Sequence, residues 1–251
     1  MVSAQEKIIQ AKNITVRYGD RTILDNVSFD INQGEVFVIV GASGCGKTTL
    51  LRQLIGLEQP TEGSVYLGED DFTNGNDKVK YKIRQRFGVL FQASGLFASM
   101  TIAENMRLLL EKYSKLTTKQ MDRIIRMKLE SVGLAGYENF YPSELSGGMK
   151  KRAALARAMV LDPDILFFDE PSSGLDPVTA AALDKLIIRL NEVLNTTMVI
   201  VTHDLSSILD ISHRIIMLDG DKKGIIASGT PEELRNYTQN EKVYNFFNRL
   251  A

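Results

Sequence analysis

The residues best equipped for chemistry form a glycine-rich loop near the start of the chain. An apolar run at residues 37–40 leads into it, and a helix-like stretch follows. The loop residues are Gly41, Ala42, Ser43, Gly44, Cys45, Gly46, Lys47, Thr48 and Thr49. Glycines let the backbone turn tightly and direct N–H groups at phosphate oxygens, and a helix N-terminus adds partial positive charge. This order of strand, loop and helix predicts a phosphate-binding loop for a nucleoside triphosphate.

Two side chains of this loop suit a metal-bound triphosphate. Lys47 is expected to reach the β- and γ-phosphates, and the hydroxyl of Thr48 is expected to ligate Mg²⁺. A glycine-rich turn can match the same pattern by accident. The motifs further along the chain argue against that alternative, so we expect ATP and Mg²⁺ as the cofactors.

A pair of carboxylates follows a second apolar run. Residues 165–168 are apolar and end in Asp169 and Glu170, at the carboxyl end of a predicted strand, where open α/β sheets assemble their sites. Asp169 is expected to hold Mg²⁺, and Glu170 to orient and polarise the water that attacks the γ-phosphate. The alternative is an acidic turn at the end of a strand.

A second possible anion site opens another helix. Ser146, Gly147 and Gly148 precede a run of strong helix formers at residues 150–157. Such a turn presents a hydroxyl, accessible amides and a helix dipole to an anion. The alternative is an ordinary helix start with Ser146 as its N-cap.

Composition excludes several classes of protein. The chain has 251 residues, 44% of them apolar, and a formal net charge of −1. This length and content suffice for a buried core, and the balanced charge argues against nucleic acid as a partner. No apolar stretch approaches the about 20 residues that cross a bilayer, and residues 1–7 lack the apolar core of a signal peptide. We therefore expect a cytoplasmic protein.

The single cysteine lies inside the phosphate loop. One cysteine cannot form an internal disulfide, and this suits a reducing compartment. Lys47 and the helix N-terminus lie close to Cys45 in sequence and would lower the pKa of its thiol, so that alkylation would block nucleotide binding. The alternative, which we favour, is a small residue that fits the loop.

The apolar patterns predict an α/β fold. Residues 7–31 read as two strands broken at 18–20, and buried runs at 36–40, 165–168, 198–201 and 215–218 predict a parallel sheet. Helical periodicity replaces them between about 92 and 160. Asp176-Pro177 predicts the start of a further helix, and the stretch 68–77 is interpreted as a solvated loop.

The order of these motifs resembles that of the ATP-binding cassette (ABC) ATPases along nearly the whole chain. The phosphate loop, Gln92, the turn at Ser146, Asp169-Glu170, the stretch 173–176 and His203 follow one another as in that family. The resemblance implies one domain over residues 1–251. It implies a RecA-like parallel-sheet core (1–91 and 160–235) with an N-terminal antiparallel β subdomain, an inserted helical signature subdomain (92–159) and a helical tail (236–251).

The same resemblance implies roles for further residues. Tyr18 would stack on adenine, and Gln92 would sense Mg²⁺ and the attacking water. The turn from Ser146 to Gly148 would grip the γ-phosphate on a second copy, Asp176 would couple the two sites, and His203 would contact the γ-phosphate. Each has a simpler structural alternative, such as hairpin closure by Tyr18. A twofold homodimer is expected.

Within the family, the sequence resembles the ATPases of MCE-type lipid transporters, including the Mla phospholipid system. The stretches 91–97, 127–134 and 142–158 carry this likeness, and Met149 departs from the glutamine that most cassettes have there. The resemblance implies an integral membrane permease, an MCE-domain protein and a small STAS-domain protein as partners, and a place on the inner face of the cell membrane. Leu96, Phe97 and Met100 would receive the permease or pack the subdomain.

Other interpretations stay open at this level. The cassette could serve a solute importer or lipoprotein release, or a soluble ATPase of the iron–sulfur-assembly type. The tail pattern Val243, Tyr244, Phe246, Phe247 and Leu250 predicts a helix after Asn240 with a broad apolar face. This face would pack on its own core or reach the neighbouring subunit.

Overall fold

The computed structural model describes residues 6–250, so the expectation about a signal peptide at residues 1–7 falls mostly outside the described part. The strands are β1 (Lys7–Tyr18), β2 (Arg21–Asn32), β3 (Val36–Gly41), β4 (Glu62–Leu67), β5 (Asp70–Asp71), β6 (Phe87–Leu90), β7 (Ile165–Asp169), β8 (Thr197–Val201), β9 (Arg214–Asp219) and β10 (Gly224–Gly229). The helices are α1 (Lys47–Leu54), α2 (Asp77–Arg84), α3 (Ile102–Tyr113), α4 (Thr118–Ser131), α5 (Gly147–Ala158), α6 (Pro177–Leu194), α7 (Leu205–Ile211), α8 (Pro231–Arg235) and α9 (Glu241–Asn248).

A six-stranded sheet with the order β10-β9-β3-β8-β7-β6 forms the centre of the fold. Its strands β9, β3, β8, β7 and β6 are parallel, and β10 pairs antiparallel to β9. Every residue of β3 and β8 is buried, which explains their uninterrupted apolar runs, since a sheet covered on both faces has no polar side. The four predicted buried strands are confirmed.

An antiparallel sheet with the order β2-β1-β4-β5 covers one face of the central sheet. The expected opening hairpin is therefore present, with Tyr18 opposite Arg21 at its turn. The interpretation of 68–77 as a loop is partly wrong, because Asp70 and Asp71 pair with Leu67 and Tyr66. Strands β4, β6 and β10 were also not predicted from the sequence, since a short strand beside long-range partners has little periodicity of its own.

The opposite face of the central sheet packs against the inserted helices. Side chains alternate along β3, so Val36, Val38 and Val40 join the helices' cluster while Phe37 and Ile39 face α1 and the antiparallel sheet. The predicted stripe on α4 packs into this cluster through Met121, Ile125 and Leu129. The α/β class with parallel core, antiparallel N-terminal sheet and helical insertion is confirmed, and the subdomain boundaries stay predictions.

Helix α6 begins after Asp176, as expected, because the Asp176 carboxylate accepts hydrogen bonds from the N–H groups of Val178 and Thr179. The predicted apolar stripe of α6 packs inward except at Leu194, which lies at the helix end and is exposed. In the tail, Val243 and Phe247 are buried against their own chain. Within residues 6–250, no helix is both long and apolar enough to span a membrane.

Candidate functional site

The phosphate loop connects the carboxyl end of β3 to the start of α1. Gly41 adopts φ 147°, and a Cβ there would lie 2.4 Å from the carbonyl oxygen of Leu218 and 2.6 Å from Sγ of Cys45. Gly46 adopts φ 106° as the residue before α1. Both conformations are in the region that favours glycine, so glycines at these positions are required by the turn itself.

Two side chains of the loop face its backbone. Nζ of Lys47 donates hydrogen bonds to the carbonyl oxygens of Gly41 (2.8 Å) and Ala42 (3.0 Å). Cys45 is only 2% exposed, and burial raises the pKa of its thiol. The expectation of a lowered pKa at Cys45 is therefore wrong, because burial outweighs the favourable charge of Lys47.

A cleft of about 690 Å³ brings the loop together with three predicted site residues. Gln92 follows β6, Glu170 follows β7 and His203 follows β8, so all three approach the loop from the carboxyl edge of the parallel sheet. Three other residues of the lining were not predicted from the sequence, namely Arg21, Ile23 and Phe246.

The two carboxylates have different surroundings. Oδ1 of Asp169 is buried and has no hydrogen-bond partner among the described residues. Burial raises the pKa of Asp169, and the neighbouring charge of Glu170 raises it further. The Oε1 atom of Glu170 is 2.9 Å from Nδ1 of His203. These positions give the pair one buried carboxylate and one that faces the cleft.

The backbone of Glu170 is also unusual. Its φ of 49° lies in the left-handed region, which costs a residue with a side chain about 1 kcal/mol or more. Its N–H donates to the carbonyl oxygen of Val201 at 2.8 Å, and its own carbonyl accepts from the N–H of Ser173 at 3.2 Å. Hydrogen bonds to Val201 and Ser173 thus stabilise a backbone conformation that is unfavourable for a glutamate.

A buried lysine, which sequence analysis did not single out, lies behind this site. Nζ of Lys151 on α5 donates to the main-chain carbonyl oxygens of Gln92 (2.6 Å) and Glu170 (3.3 Å). Burial lowers the pKa of Lys151, while the charges of Asp169 and Glu170 raise it. Its only signal in the sequence is one lysine on a helix face whose other buried residues are alanines and a leucine.

Three predicted binding elements lie outside this cleft. Ser146 caps α5 by accepting from the N–H of Met149 at 3.3 Å, and Asp176 caps α6. A Cβ on Gly148 would lie 2.5 Å from Cγ2 of Thr179, so the two helix starts are closely packed. Tyr18 is 50% exposed, and its hydroxyl donates a hydrogen bond to the carboxylate of Glu58. None of these side chains lines the cleft with the phosphate loop.

The oxygen ligands at the cleft fit Mg²⁺. Residues 6–250 contain no cluster of three or more His, Cys, Asp and Glu side chains that would form an all-protein metal cage. Mg²⁺ bound to nucleotides typically takes only one or two protein ligands and completes its shell with phosphates and water. The orphaned oxygen of Asp169, with the Thr48 hydroxyl near the same carboxylate, offers such ligands.

Comparison with known proteins agrees with this geometry. The family model described as "ABC transporter" matches residues 24–173. The intermembrane phospholipid transport system ATP-binding protein MlaF of Haemophilus influenzae is 39% identical over 96% of this chain and 90% of its own length. The probable ribonucleotide transport ATP-binding protein mkl of Mycobacterium leprae is 41% identical over 95% of this chain and 68% of its own.

A solved structure is similar over most of the fold. It is a dimeric, post-hydrolysis state of the ATP-binding cassette MJ0796 bound to ADP and Pi, which superposes with a TM-score of 0.79. The two sequences are 32% identical, and the match covers 88% of this chain and 98% of the other. Together with the family match and the arrangement of the cleft, these likenesses establish that the chain belongs to the ABC transporter family, as one of its ATP-binding cassette ATPases.

Proposed function

We propose that this chain is the ATP-hydrolysing subunit of a membrane transporter for lipids, most simply phospholipids, and that it acts as a homodimer beneath a separate permease. The observation that carries the ATPase part is the cleft that unites the phosphate loop with Gln92, Glu170 and His203. The lipid part rests on full-length similarity to the phospholipid transport protein of H. influenzae.

Nucleotide binding is assigned to the phosphate loop. The backbone N–H groups from Gly41 to Thr49 and the N-terminus of α1 receive the phosphates. The ammonium of Lys47 already lies at the loop, where it donates to the carbonyls of Gly41 and Ala42. It exchanges these hydrogen bonds for contacts with the β- and γ-phosphates when the nucleotide binds. Tyr18, half-exposed at the hairpin turn, is free to stack on adenine through its ring.

Metal binding is assigned to Thr48, Asp169 and Gln92. The ion, when bound, neutralises charge on the β- and γ-phosphates. Burial of the Asp169 carboxylate, whose Oδ1 has no hydrogen-bond partner among the described residues, disfavours its charge, and a cation beside it offsets that penalty. The metal and the protein fold therefore stabilise each other at this residue.

Hydrolysis is assigned to Glu170, with His203 and Gln92 beside it. The Glu170 carboxylate orients the attacking water and accepts its proton, because it faces the cleft beside the phosphate loop. His203 is held by Glu170 at 2.9 Å, and its ring reaches the γ-phosphate as a hydrogen-bond donor. The side chain of Gln92 approaches Ser173 at 3.3 Å and senses the metal and the water.

A second copy of the chain completes each site. Ser146, Gly147 and Gly148 do not line the cleft of their own chain, so they are available to the γ-phosphate bound by a partner. Asp176 lies at the start of α6 beside this turn and couples the two sites. The dimeric state of the similar cassette MJ0796 supports this arrangement.

The loop between β6 and α3 is proposed as the docking surface for the permease. The buried Asn105 on α3 accepts from the N–H of Phe97 at 2.7 Å and donates to the carbonyls of Phe97 and Met100, both at 3.1 Å. The side chain of Phe97 is nevertheless 55% exposed. A fixed backbone that displays an apolar side chain suits a protein interface on the inner face of the membrane. An MCE-domain protein and a STAS-domain protein complete the proposed complex.

A different cargo is the second candidate. The relative from M. leprae, which is named for probable ribonucleotide transport, is as similar as the phospholipid transport protein. The proposed ATPase chemistry is the same for either cargo. Cargo must therefore be tested on the assembled complex.

The experiment is purification of the tagged Glu170→Gln protein from native membranes with ATP, followed by mass spectrometry of proteins and small molecules. Lys47→Ala serves as the matched variant that does not hold the nucleotide. We expect a permease, an MCE-domain protein and enriched phospholipid with Glu170→Gln. Recovery of ribonucleotides beyond the added ATP, of a solute-binding protein or of soluble partners alone would contradict the lipid assignment and leave the ATPase intact.

A further inference from the structure

Among the described residues, Lys151 is the one buried lysine, and its ammonium lies near the proposed site residues Asp169 and Glu170. It is 5% exposed and lies on α5, less than one helical turn after the turn formed by Ser146, Gly147 and Gly148. Burying an ammonium is costly unless it is hydrogen-bonded and near opposite charge. Both conditions are met here, by two carbonyl oxygens and by the nearby carboxylates of Asp169 and Glu170.

The two carbonyls that Lys151 binds belong to different segments. Gln92 follows β6 and Glu170 follows β7, and these strands are parallel neighbours, with Leu90 paired to Phe168. A single ammonium therefore connects the carboxyl ends of two core strands from a third element. Close packing of α5 on β6 supports this, since a Cβ on Gly88 would lie 2.0 Å from the carbonyl oxygen of Ala158.

The hydrogen bond to Glu170 acts on a strained residue. Because Glu170 is left-handed, its peptide must be held by its surroundings, and its carbonyl has only two donors among the described residues, Lys151 and the N–H of Ser173. Removing one of these donors allows the peptide of Glu170 to rotate, which changes the orientation of its side-chain carboxylate. A shift of about 1 Å at a reacting group can cost roughly a hundredfold in rate.

We propose that Lys151 is a positioning residue for ATP hydrolysis, which ties α5, the helix that begins at Ser146, to the backbones of Gln92 and Glu170. Contact of a partner's γ-phosphate with the turn at Ser146 is then transmitted along a rigid helix to both segments. This inference rests on the roles proposed above for Gln92, Glu170 and the Ser146 turn. It adds the physical link between them.

The test replaces Lys151 by methionine, which keeps most of the aliphatic stem and removes the ammonium. In the full-length protein with its co-purifying partners, we expect kcat for ATP to fall by about tenfold to a hundredfold, with KM changed by less than about threefold. In the nucleotide-free protein, amide hydrogen exchange over residues 91–95 and 169–173 should accelerate by about fivefold or more. Lys151→Arg, which keeps charge and donors, should recover part of the lost kcat.

Lys128→Met is the matched control, because Lys128 lies on α4 in the same helical layer and forms its ion pair with Asp162, which does not line the cleft. This variant should leave kcat and exchange in both segments unchanged. If Lys151→Met fails to fold, Lys151→Gln is measured instead, and its shorter amide should still lose kcat and accelerate exchange in both segments.

Unchanged kcat, or a lower kcat without faster exchange in these segments, would overturn the positioning role of Lys151. Glu170→Gln is assayed in parallel. Hydrolysis by that variant would refute the proposed role of Glu170, whereas an inactive Glu170→Gln beside a fully active Lys151→Met would refute only the inference about Lys151.

Discussion

At the scale of single residues, the site contains two groups in energetically unfavourable environments. The buried oxygen of Asp169 has no partner among the described residues, and Glu170 is held in a left-handed conformation. Such features lower the stability of the nucleotide-free protein, since a buried carboxylate oxygen without a hydrogen bond and backbone strain each have a cost. Their location beside the phosphate loop indicates that they serve binding and hydrolysis.

Replacing Glu170 with glutamine removes the proposed base and keeps the size of the side chain. We expect ATP hydrolysis to fall by at least about a hundredfold, the contribution typical of a general base. Binding of ATP should persist, because the phosphate loop is unchanged. Phosphate release and equilibrium binding of a fluorescent ATP analogue measure the two effects, and hydrolysis near the wild-type rate would refute the role.

Replacing Asp169 with asparagine removes a buried negative charge. Without nucleotide and Mg²⁺, the variant should be more stable than the wild type by about 1 kcal/mol, or roughly 2–4 °C in melting temperature. With ATP and Mg²⁺, the order should reverse, since the wild type alone gains from the cation. Melting curves with and without Mg²⁺ measure both effects, and Asp162→Asn, which removes an exposed carboxylate outside the cleft, serves as the control for lost charge.

At the scale of elements, the tail helix α9 packs on its own chain. Val243 and Phe247 are buried, and Nζ of Lys242 lies 2.7 Å from carboxylate oxygens of both Asp219 and Asp221. These two hydrogen bonds raise the pKa of Lys242 to about 12. Leu250 lies beyond the helix end and is 54% exposed, whereas Tyr244 and Phe246 are half-buried, so Leu250 is the most accessible apolar residue of this tail for contact with another subunit.

Phe247→Ala should destabilise the chain itself. Deleting a buried aromatic side chain costs about 3–5 kcal/mol, which corresponds to a melting temperature lower by roughly 10 °C. Leu250→Ala is the matched exposed change and should leave the melting temperature unaltered. Loss of assembly by Leu250→Ala, measured by light scattering, would support the hypothesis that the tail reaches the neighbouring subunit; unchanged assembly would count against it.

At the scale of the whole molecule, the phosphate loop and the Ser146 turn belong to different surfaces of one chain. The cleft contains Lys47 and Glu170 but not Ser146. A triphosphate can meet both surfaces only if two copies associate face to face, and twofold symmetry then completes two sites at once. In the proposed homodimer, assembly and hydrolysis are therefore linked through one ligand.

Ser146→Asp tests this link in the Glu170→Gln background. Aspartate keeps the N-cap of α5, because its oxygen accepts the hydrogen bond from Met149 as serine does, but its charge repels a partner's γ-phosphate. We expect ATP-dependent dimers with Glu170→Gln alone and monomers after Ser146→Asp. The neutral, equally large Ser146→Asn should dimerise more than Ser146→Asp, and light scattering with ATP distinguishes them; equal dimers would refute the proposed contact.

The phosphate loop, the carboxylate pair, the buried strands and the class of fold could be predicted from the sequence. Gly41 and Lys47 are recognisable because a tight turn and a phosphate dictate the residue types at fixed spacing, and β3 is recognisable because burial on both faces demands an uninterrupted apolar run. These are local requirements, so they leave local patterns.

Features that depend on contacts between residues distant in sequence could not be predicted from local patterns. The short strand β6, the buried thiol of Cys45 and the exposed Leu194 have local patterns compatible with other environments. The contacts of Lys151 are a further case, because 59 residues separate it from Gln92 and 19 from Glu170. A lysine in a helix is ordinarily solvated, and only the packing of α5 on the central sheet buries this one behind the site.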